Sequence, residues 1–169
     1  MVVVREALTS DARDILTFCR QIGSESDNLS YGHEGLGISV SDEEKLLTKV
    51  HEDERSCFLV AKEADELVGT CNCSGFRKAR LSHRAEIGIA VKKAYWNKGI
   101  GRKLLTRLIN LSRQSGLKIL SLEVRTDNKG AIHLYESLGF RRIGTFEDFM
   151  EIDGESIDFD IMELFLEKS

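Results

Sequence analysis

Two closely spaced glycines, Gly99 and Gly101, stand where a basic segment gives way to a helical pattern. The first amide N–H groups of a helix have no partner within the helix, and the helix dipole places partial positive charge at the same end. Such a terminus binds phosphate oxygens, and the side chains of Lys98 and Arg102 would add charge-assisted hydrogen bonds. The spacing therefore predicts a phosphate-binding turn.

The basic residues around this turn allow two interpretations. They are Lys92, Lys93, Lys98, Arg102 and Lys103. In a chain whose formal net charge is −4, a local basic cluster indicates a site for a small anionic ligand. The alternative is that the cluster is only the solvated end of a helix.

Two common nucleotide-binding motifs do not fit this turn. The dinucleotide fingerprint requires a third glycine three residues after Gly101, where this chain has Leu104. A P-loop requires a glycine, four residues and then Gly-Lys followed by serine or threonine, and the chain contains no such string. Both motifs are therefore excluded.

A second motif lies downstream, where residues 128–140 read NKGAIHLYESLGF. Together with WNKGIG at 96–101, it resembles the GCN5-related N-acetyltransferase superfamily. That family has Arg/Gln-x-x-Gly-x-Gly/Ala at its pyrophosphate turn and Asn-x-x-Ala-x-x-Leu-Tyr-x-x-x-Gly-Phe further on. Trp96 departs from the first position of the turn, which removes a side-chain donor but leaves the backbone amides. The resemblance covers roughly residues 2–166.

The resemblance implies acetyl-CoA as cosubstrate. The strand before the turn would splay from its neighbour, and its backbone would hold the pantetheine arm and donate to the thioester carbonyl oxygen. Asn128 would bond the pantetheine amide, although it could also simply cap its helix. The implied coenzyme-binding residues are Ile89, Ala90, Val91, Asn97, Lys98, Gly99, Ile100, Gly101, Arg102, Asn128 and Tyr135.

Tyr135 is our candidate general acid for the departing thiolate. A phenol with a pKa of about 10 can donate a proton to a thiolate of slightly lower basicity. The alternative is that the Tyr135 ring only packs on Ile132 and Leu138.

Two carboxylates are candidates for the general base. Glu86 lies on the strand expected to splay, and it resembles the acid that several family members use through water. Glu123 precedes Asn128 by five residues and resembles the catalytic acid of ribosomal-protein alanine acetyltransferases. We favour Glu86, although each could be an ordinary strand carboxylate paired with an arginine, such as Arg125 beside Glu123. An amine bound partly deprotonated would need only water as its base.

The glycine-rich segment 23–40 is long enough to be a functional loop, and in the family this position shapes the acceptor pocket. Carboxylates there and on the last strand could attract a cationic amine. They are Glu25, Asp27, Glu34, Asp158 and Asp160. The alternative is that these carboxylates are only solvated.

The composition argues against several other functions. The negative net charge and the lack of a stripe rich in lysine and arginine exclude nucleic acid as a partner. No apolar run approaches the ~20 residues that span a bilayer, and the N-terminus lacks a signal-peptide pattern, so we expect a cytoplasmic protein with no membrane partner. The cysteines and histidines lack the spacing of a metal site, so no metal is expected.

Hydrophobic periodicity predicts the elements that position these residues. Strands are expected at 2–4, 57–61, 67–74, 85–91, 119–125, 142–152 and 156–166, with a tight turn at Asp153 and Gly154. Helices are expected from Thr9 or Ser10 to Gly23, after a capping box at 41–44, over 99–116 and from Asn128 to Gly139. This order predicts an α+β fold in one domain, residues 1–169, with a mixed, mostly antiparallel sheet. The resemblance implies a three-layer α-β-α sandwich.

These observations predict an acetyl-CoA-dependent N-acetyltransferase that moves an acetyl group directly to a primary amine of a small molecule or peptide. The alternative is a catalytically silent module of the same fold that binds and senses acetyl-CoA, because Trp96 makes the turn motif imperfect. A weaker alternative is an interaction protein that keeps only the fold. The family and the hydrophobic segment 161–166 also predict a homodimer.

Overall fold

A seven-stranded mixed sheet forms the centre of the computed structural model, which describes residues 1–166. The strands are β1 (Val2–Glu6), β2 (Cys57–Glu63), β3 (Glu66–Gly75), β4 (Arg84–Val91), β5 (Ile119–Arg125), β6 (Arg141–Ile152) and β7 (Glu155–Phe165). Their spatial order is β1-β2-β3-β4-β5-β7-β6. The expected domain, 1–169, extends over residues 167–169, which lie outside the described part.

Only one pair of neighbouring strands in this sheet is parallel, namely β4 and β5. A parallel pair needs a crossover connection, which the helix between these two strands provides. The predicted mixed, mostly antiparallel sheet is therefore confirmed. The segment 161–166 is largely in β7, which lies inside the sheet between β5 and β6, and Met162 and Leu164 are buried in the core. The hydrophobic residues Met162 and Leu164 of this segment therefore belong to the core and are not available for the homodimer contact predicted from them.

Helices cover both faces of the sheet. They are α1 (Ala12–Glu25), α2 (Val40–Glu52), α3 (Ile100–Gln114) and α4 (Lys129–Ser137). One core joins α1 and α2 to the sheet around Phe18 and Val60, and the other joins α3 and α4 to it around Leu104 and Leu120. This arrangement confirms the three-layer α-β-α sandwich.

The first two helices begin at different residues from those predicted. A short 3-10 turn, Thr9–Asp11, precedes α1, and neither Thr9 nor Ser10 caps the helix with its side chain. Helix α2 is capped by Ser39, whose hydroxyl accepts the Asp42 N–H at 3.1 Å, so the capping box at 41–44 was wrong. Ser39 has the extended backbone that a capping residue requires, whereas Ser41 already lies in the first turn.

The turns that end α4 and join β6 to β7 match the prediction. Gly139 follows α4 with φ of 98°, a conformation that favours glycine. Asp153 and Gly154 have φ of 52° and 78° and connect two antiparallel strands as a tight hairpin. Both turns follow from local chemistry, which explains why the sequence was sufficient to find them.

Candidate active site

Strands β4 and β5 separate after a short stretch of pairing. Residues 84–86 of β4 pair with 119–121 of β5, while β4 continues to Val91 and β5 to Arg125. Each strand remains paired on its other side, β4 with β3 and β5 with β7. The result is a wedge-shaped gap in the sheet, which is the splay that the resemblance implied.

The gap exposes backbone hydrogen-bonding groups of β4. Successive residues of a strand direct these groups to opposite neighbours. The Lys92 N–H donates to the Val68 carbonyl at 2.9 Å, so alternate residues from Lys92 backwards bond to β3. The residues between them, Ile89 and Val91, therefore turn their backbone groups toward β5, with which they have no ladder pairing. Ala90, which we also assigned to the coenzyme, bonds toward β3 instead.

A cavity of about 870 Å³ passes through this gap. On the α3 and α4 side it is lined by Leu134 and Tyr135, and on the α1 side by Ile22 and Leu29. Because its walls come from both faces of the sheet, two reactants can enter from opposite sides and meet between β4 and β5.

The N-terminus of α3 opens into this cavity without a capping side chain. Gly99 occupies the capping position with φ of 79°, and Asn97 also has a positive φ, 60°. The amides of residues 100–102 have no acceptor within the helix, because the first helical bond runs from the Lys103 N–H to the Gly99 carbonyl at 3.1 Å. Consecutive amides in such a turn form a concave anion-binding site.

The second glycine of the motif has a different role. A Cβ atom at Gly101 would come within 3.1 Å of the Leu134 Cδ2 atom, which is closer than ordinary packing. A Cβ atom at Gly99 would meet nothing within 4 Å. Gly99 is therefore favoured by its backbone conformation, whereas a small residue at position 101 is favoured by the close approach of α3 to Leu134 of α4.

The predicted basic cluster divides into two groups. Lys92 is 8% exposed, and its Nζ atom donates to the Glu66 carboxylate at 2.7 Å, so it is not available to an anionic ligand. Lys98 lies over the Tyr95 ring at 5.0 Å, and Arg102 donates to the Ser137 hydroxyl at 2.7 Å. Both Lys98 and Arg102 are exposed beside the α3 terminus. Of the exposed basic residues in this cluster, only Arg102 lines the cavity, whereas Lys103 faces a separate groove beside Val2 and Val4.

Trp96, the departure from the family motif, ties the turn to the preceding strand. Its indole N–H donates to the Val91 carbonyl at 2.7 Å. The residue thus satisfies one of the backbone groups that the gap leaves open and holds the turn close to β4. The Val91 N–H stays directed toward the gap.

Asn128 and Tyr135 both line the cavity from α4. The Asn128 side-chain oxygen accepts the Ala131 N–H at 3.3 Å and so caps α4. Its amide N–H groups have no bond to the described residues and are free for a ligand. Tyr135 is 7% exposed, its ring packs against Phe140, and burial raises the pKa of its phenol. The phenol is therefore protonated at neutral pH.

Glu86 and Glu123 lie on the same face of the sheet, which is the face turned away from α3 and α4. Glu123 lines the cavity, whereas Glu86 lies at the last paired position of β4 and does not. Desolvation in the cavity, reinforced by the negative charge of Glu86, raises the pKa of Glu123. A carboxylate with a raised pKa is a stronger base, so Glu123 is better placed for amine deprotonation than Glu86, which we had favoured.

Arg125 pairs with Asp127 rather than with Glu123. Its Nε and Nη2 atoms donate to the two carboxylate oxygens of Asp127, both at 2.9 Å. Its Nη1 atom donates to the Asp27 carbonyl at 3.1 Å, which ties β5 to the segment after α1. Glu123 consequently has no ion-pair partner among the described residues.

Most of the acidic residues predicted to attract the acceptor lie elsewhere. Glu25 lines the cavity, and its carboxylate accepts the Lys93 N–H at 2.7 Å. Asp160 is buried on the face of the sheet that α3 and α4 cover, where the Thr145 hydroxyl donates to it at 2.7 Å. Glu34 accepts the Gly32 N–H, and Asp158 accepts the Asp148 N–H. Like Asp27, these last three carboxylates are outside the cavity lining.

Three apolar residues of the cavity were not predicted from the sequence. Phe149, Met150 and Phe159 line its α1 side, and the rings of Phe149 and Phe159 lie 4.9 Å apart. The aromatic residues of the β6–β7 hairpin were a signal in the sequence. Their position beside β5 depends on strand order, which that signal does not contain.

Residues 1–166 contain no group of three or more histidine, cysteine or acidic side chains arranged to hold a metal ion. Within the same residues, no helix combines the length and apolar character needed to cross a membrane.

Comparisons with known proteins agree with this geometry. The model of the acetyltransferase (GNAT) family matches residues 18–140. N-alpha-acetyltransferase RimI of Mycobacterium tuberculosis is 34% identical over 97 residues, which are 57% of this chain and 60% of that protein. A GNAT-family acetyltransferase of Streptococcus pneumoniae superposes with a TM-score of 0.95 at 29% identity, covering 98% of this chain and 99% of the other.

The fold also matches yncA of Salmonella typhimurium, solved with acetyl-CoA, with a TM-score of 0.87 at 21% identity over 99% of this chain and 95% of that one. The chain spans less than two thirds of the length of the first curated relatives that it matches. The family model nevertheless covers the region from the middle of α1 to just past the end of α4, including the gap and both motifs. The chain belongs to the acetyltransferase (GNAT) family.

Proposed function

We propose that this protein is an N-acetyltransferase that moves the acetyl group of acetyl-CoA directly to a primary amine. The observation that carries the proposal is the cavity through the β4–β5 gap, which joins the uncapped terminus of α3 to the carboxylate of Glu123. Family membership supports it, as do the relatives named for N-terminal acetylation or solved with acetyl-CoA.

The residues present fit acetyl-CoA. The amides of residues 100–102, with Lys98 and Arg102 beside them, offer donors and positive charge to the diphosphate. The backbone groups of Ile89 and the N–H of Val91 offer strand-like bonds to the pantetheine arm, and one of these N–H groups can stabilise negative charge on the thioester oxygen. When bound, acetyl-CoA supplies the activated acyl carbon that the amine attacks.

Glu123 is the proposed general base. Its carboxylate lies in the cavity and has no ion-pair partner among the described residues. The raised pKa lets it remove a proton from an ammonium group more effectively than a carboxylate with an ordinary pKa can. In this proposal Glu86 acts through its charge, by keeping the pKa of Glu123 high.

Tyr135 is the proposed general acid on the coenzyme side. Its phenol lies on the cavity wall, and no described group forms a hydrogen bond with its oxygen. The apolar surroundings that raise the pKa of Tyr135 would also raise the basicity of a thiolate formed beside it, which keeps proton transfer between them near balance. The two proposed proton-transfer residues thus approach the gap from opposite faces of the sheet.

We also propose that the protein works in a reducing compartment such as the cytoplasm and that it forms a homodimer. All four cysteines are free, although Cys57 and Cys73 are directly opposed on paired strands. Strand β6 is an edge of the sheet and exposes Ile143 and Phe146, which supports a contact between copies there.

Two measurements on the purified protein test the activity. Acetyl-CoA should raise the melting temperature, and a panel of amines should release free thiol from acetyl-CoA in a spectrophotometric assay. Stabilisation without thiol release from any amine would indicate a sensing module. If acetyl-CoA gives neither stabilisation nor thiol release, the protein is an interaction protein that keeps only the fold.

A further inference from the structure

The α1 side of the cavity has a composition that restricts the acceptor. We use the name acceptor end for six of its residues, Ile22, Leu29, Glu123, Phe149, Met150 and Phe159. Five of these six side chains are apolar, while the polar residues Glu25, Ser26, Asn28 and Ser30 line the same side from the segment 25–30. The inference below rests on the proposed acetyl transfer, since it concerns which amine reaches Glu123.

The acceptor end has no free positive charge with which to bind a carboxylate. Arg125 is the cationic residue of the cavity lining nearest to Glu123 in the chain, and its side chain is only 16% exposed. Its guanidinium is neutralised by the bidentate pair with Asp127 and donates a third bond to the Asp27 carbonyl. A carboxylate brought beside Glu123 would therefore be repelled by it without a compensating cation.

The same end offers an aromatic surface to the substituent of the amine. Phe149 is 41% exposed although its ring lies 4.9 Å from that of Phe159. Covering these rings with an apolar group is favourable, and an ammonium group held near a ring face gains further from the ring quadrupole. Polar substituents would gain neither contribution.

The segment 25–30 limits the size of the opening. The Glu25 carboxylate accepts the Lys93 N–H beyond the end of β4, and the Asp27 carbonyl accepts a hydrogen bond from Arg125 at the end of β5. These two bonds fix the segment at both ends. The segment thus crosses the gap on the acceptor side, and five of its residues line the cavity: Glu25, Ser26, Asn28, Leu29 and Ser30. An acceptor that enters beside such a crossing chain is better matched by a small molecule than by a folded protein.

We infer that the acceptor is a small primary monoamine that carries an apolar, preferably aromatic, substituent and no carboxylate next to its nitrogen. A matched set of compounds tests this. Phenethylamine, phenylalanine and phenylalaninamide share one aromatic group and differ in the group beside the amine. Thiol release should give phenethylamine a kcat/KM about tenfold or more above that of phenylalanine, and phenylalaninamide should recover most of the difference because it lacks the charge.

A variant pair tests the aromatic surface. Phe149→Ala should lower kcat/KM for phenethylamine about tenfold, mainly through KM. Leu46→Ala on α2 is the control and should change it less than about twofold, because Leu46 is 48% exposed and outside the cavity lining.

Several outcomes would overturn the inference. One is equal or better use of phenylalanine, and another is a peptide with N-terminal phenylalanine that exceeds phenethylamine more than about tenfold. In both cases thiol release would still occur. The proposed acetyl transfer would then be supported, and the inferred class of acceptor would be rejected. Stabilisation by acetyl-CoA with no turnover of any amine would instead overturn the proposed function.

Discussion

Glu86 and Glu123 lie on the same face of two diverging strands, and the negative charge of Glu86 adds to desolvation in raising the pKa of Glu123. The parallel pairing of β4 with β5 ends with Glu86 opposite Ser121, two residues before Glu123. Past this point the strands separate, and only Glu123 reaches the cavity. The two carboxylates therefore share a face of the sheet but differ in access to a substrate.

The first prediction separates the roles of these carboxylates. Glu123→Gln should lower kcat by about 10²-fold, because an amide cannot take a proton from the amine. Glu86→Gln should lower kcat by less than about tenfold, because it removes only a neighbouring charge. Steady-state thiol release with one accepted amine measures both. A larger loss in the Glu86 variant would restore Glu86 as the base.

The second prediction concerns pH. As pH rises, Glu123 ionises and becomes active as a base, so its raised pKa should define an acid limb in the plot of kcat/KM. Glu86→Gln removes a repelling charge, which lowers the pKa of Glu123 and should move this limb to lower pH. A pH–rate profile of both proteins checks the shift. A limb that stays in place would show that another group titrates.

The third prediction concerns Tyr135. Tyr135→Phe should lower kcat by about 10²-fold and leave the Kd of coenzyme A nearly unchanged, because the ring keeps its packing while the proton donor is lost. Tyr95→Phe is the matched control. It also lines the cavity, but its hydroxyl bonds to Glu66 at 3.3 Å, and hydrogen bonding to Glu63, with smaller contributions from desolvation and Glu66, raises its pKa to about 12. Equal effects of the two substitutions would remove Tyr135 from the proposed mechanism.

Local sequence signals were sufficient for the elements that carry the coenzyme site. Gly99 begins a helix because the chain must turn there with positive φ, and Asn128 caps the next helix through its own side chain. Such features depend on a few consecutive residues. The turn, the motif around Tyr135 and the succession of strands along the chain were therefore predictable.

Features set by strand pairing were not predictable from the sequence. The face on which Asp160 lies depends on the register of β7 against β5, and that register turns it away from Glu123. Arg125 and Glu123 share a face at a spacing that permits an ion pair, but the chain turns after β5 and brings Asp127 back to the guanidinium. Each position is a consequence of the fold and not of the local pattern.

The fourth prediction concerns stability in acid. Asp11 is 5% exposed at its side chain and accepts bonds from Arg5 at 2.7 and 2.9 Å and from the Leu8 N–H at 2.8 Å. These contacts hold its pKa well below the ordinary value of about 4. The stability they provide should be complete above that value and decline as pH falls below it.

Asp11→Asn should accordingly lower the free energy of unfolding by about 2–3 kcal/mol at pH 7 and by progressively less below about pH 4. Asp14→Asn is the control, because Asp14 is 52% exposed and bonds to Lys62 at 3.2 Å, so its loss should cost less than about 1 kcal/mol. Urea unfolding across this pH range measures both variants. A difference that does not change with pH would show that shape, and not charge, makes the contribution of Asp11.

The last prediction separates backbone strain from coenzyme binding at the two ends of α3. Gly99 and Gly116 flank the helix with φ of 79° and 80°, and at neither position would a Cβ atom meet another atom within 4 Å. Alanine at either position should therefore cost a similar free energy of folding, about 1–2 kcal/mol, and lower the melting temperature comparably.

Only Gly99, however, lies beside the free amides that would hold the diphosphate. Gly99→Ala should therefore weaken coenzyme A binding about tenfold in calorimetric titration, because the turn must relax away from the conformation that directs those amides toward the anion. Gly116→Ala should leave the Kd unchanged at the same loss of stability. Equal affinity in the two variants would mean that the diphosphate is not bound at the start of α3.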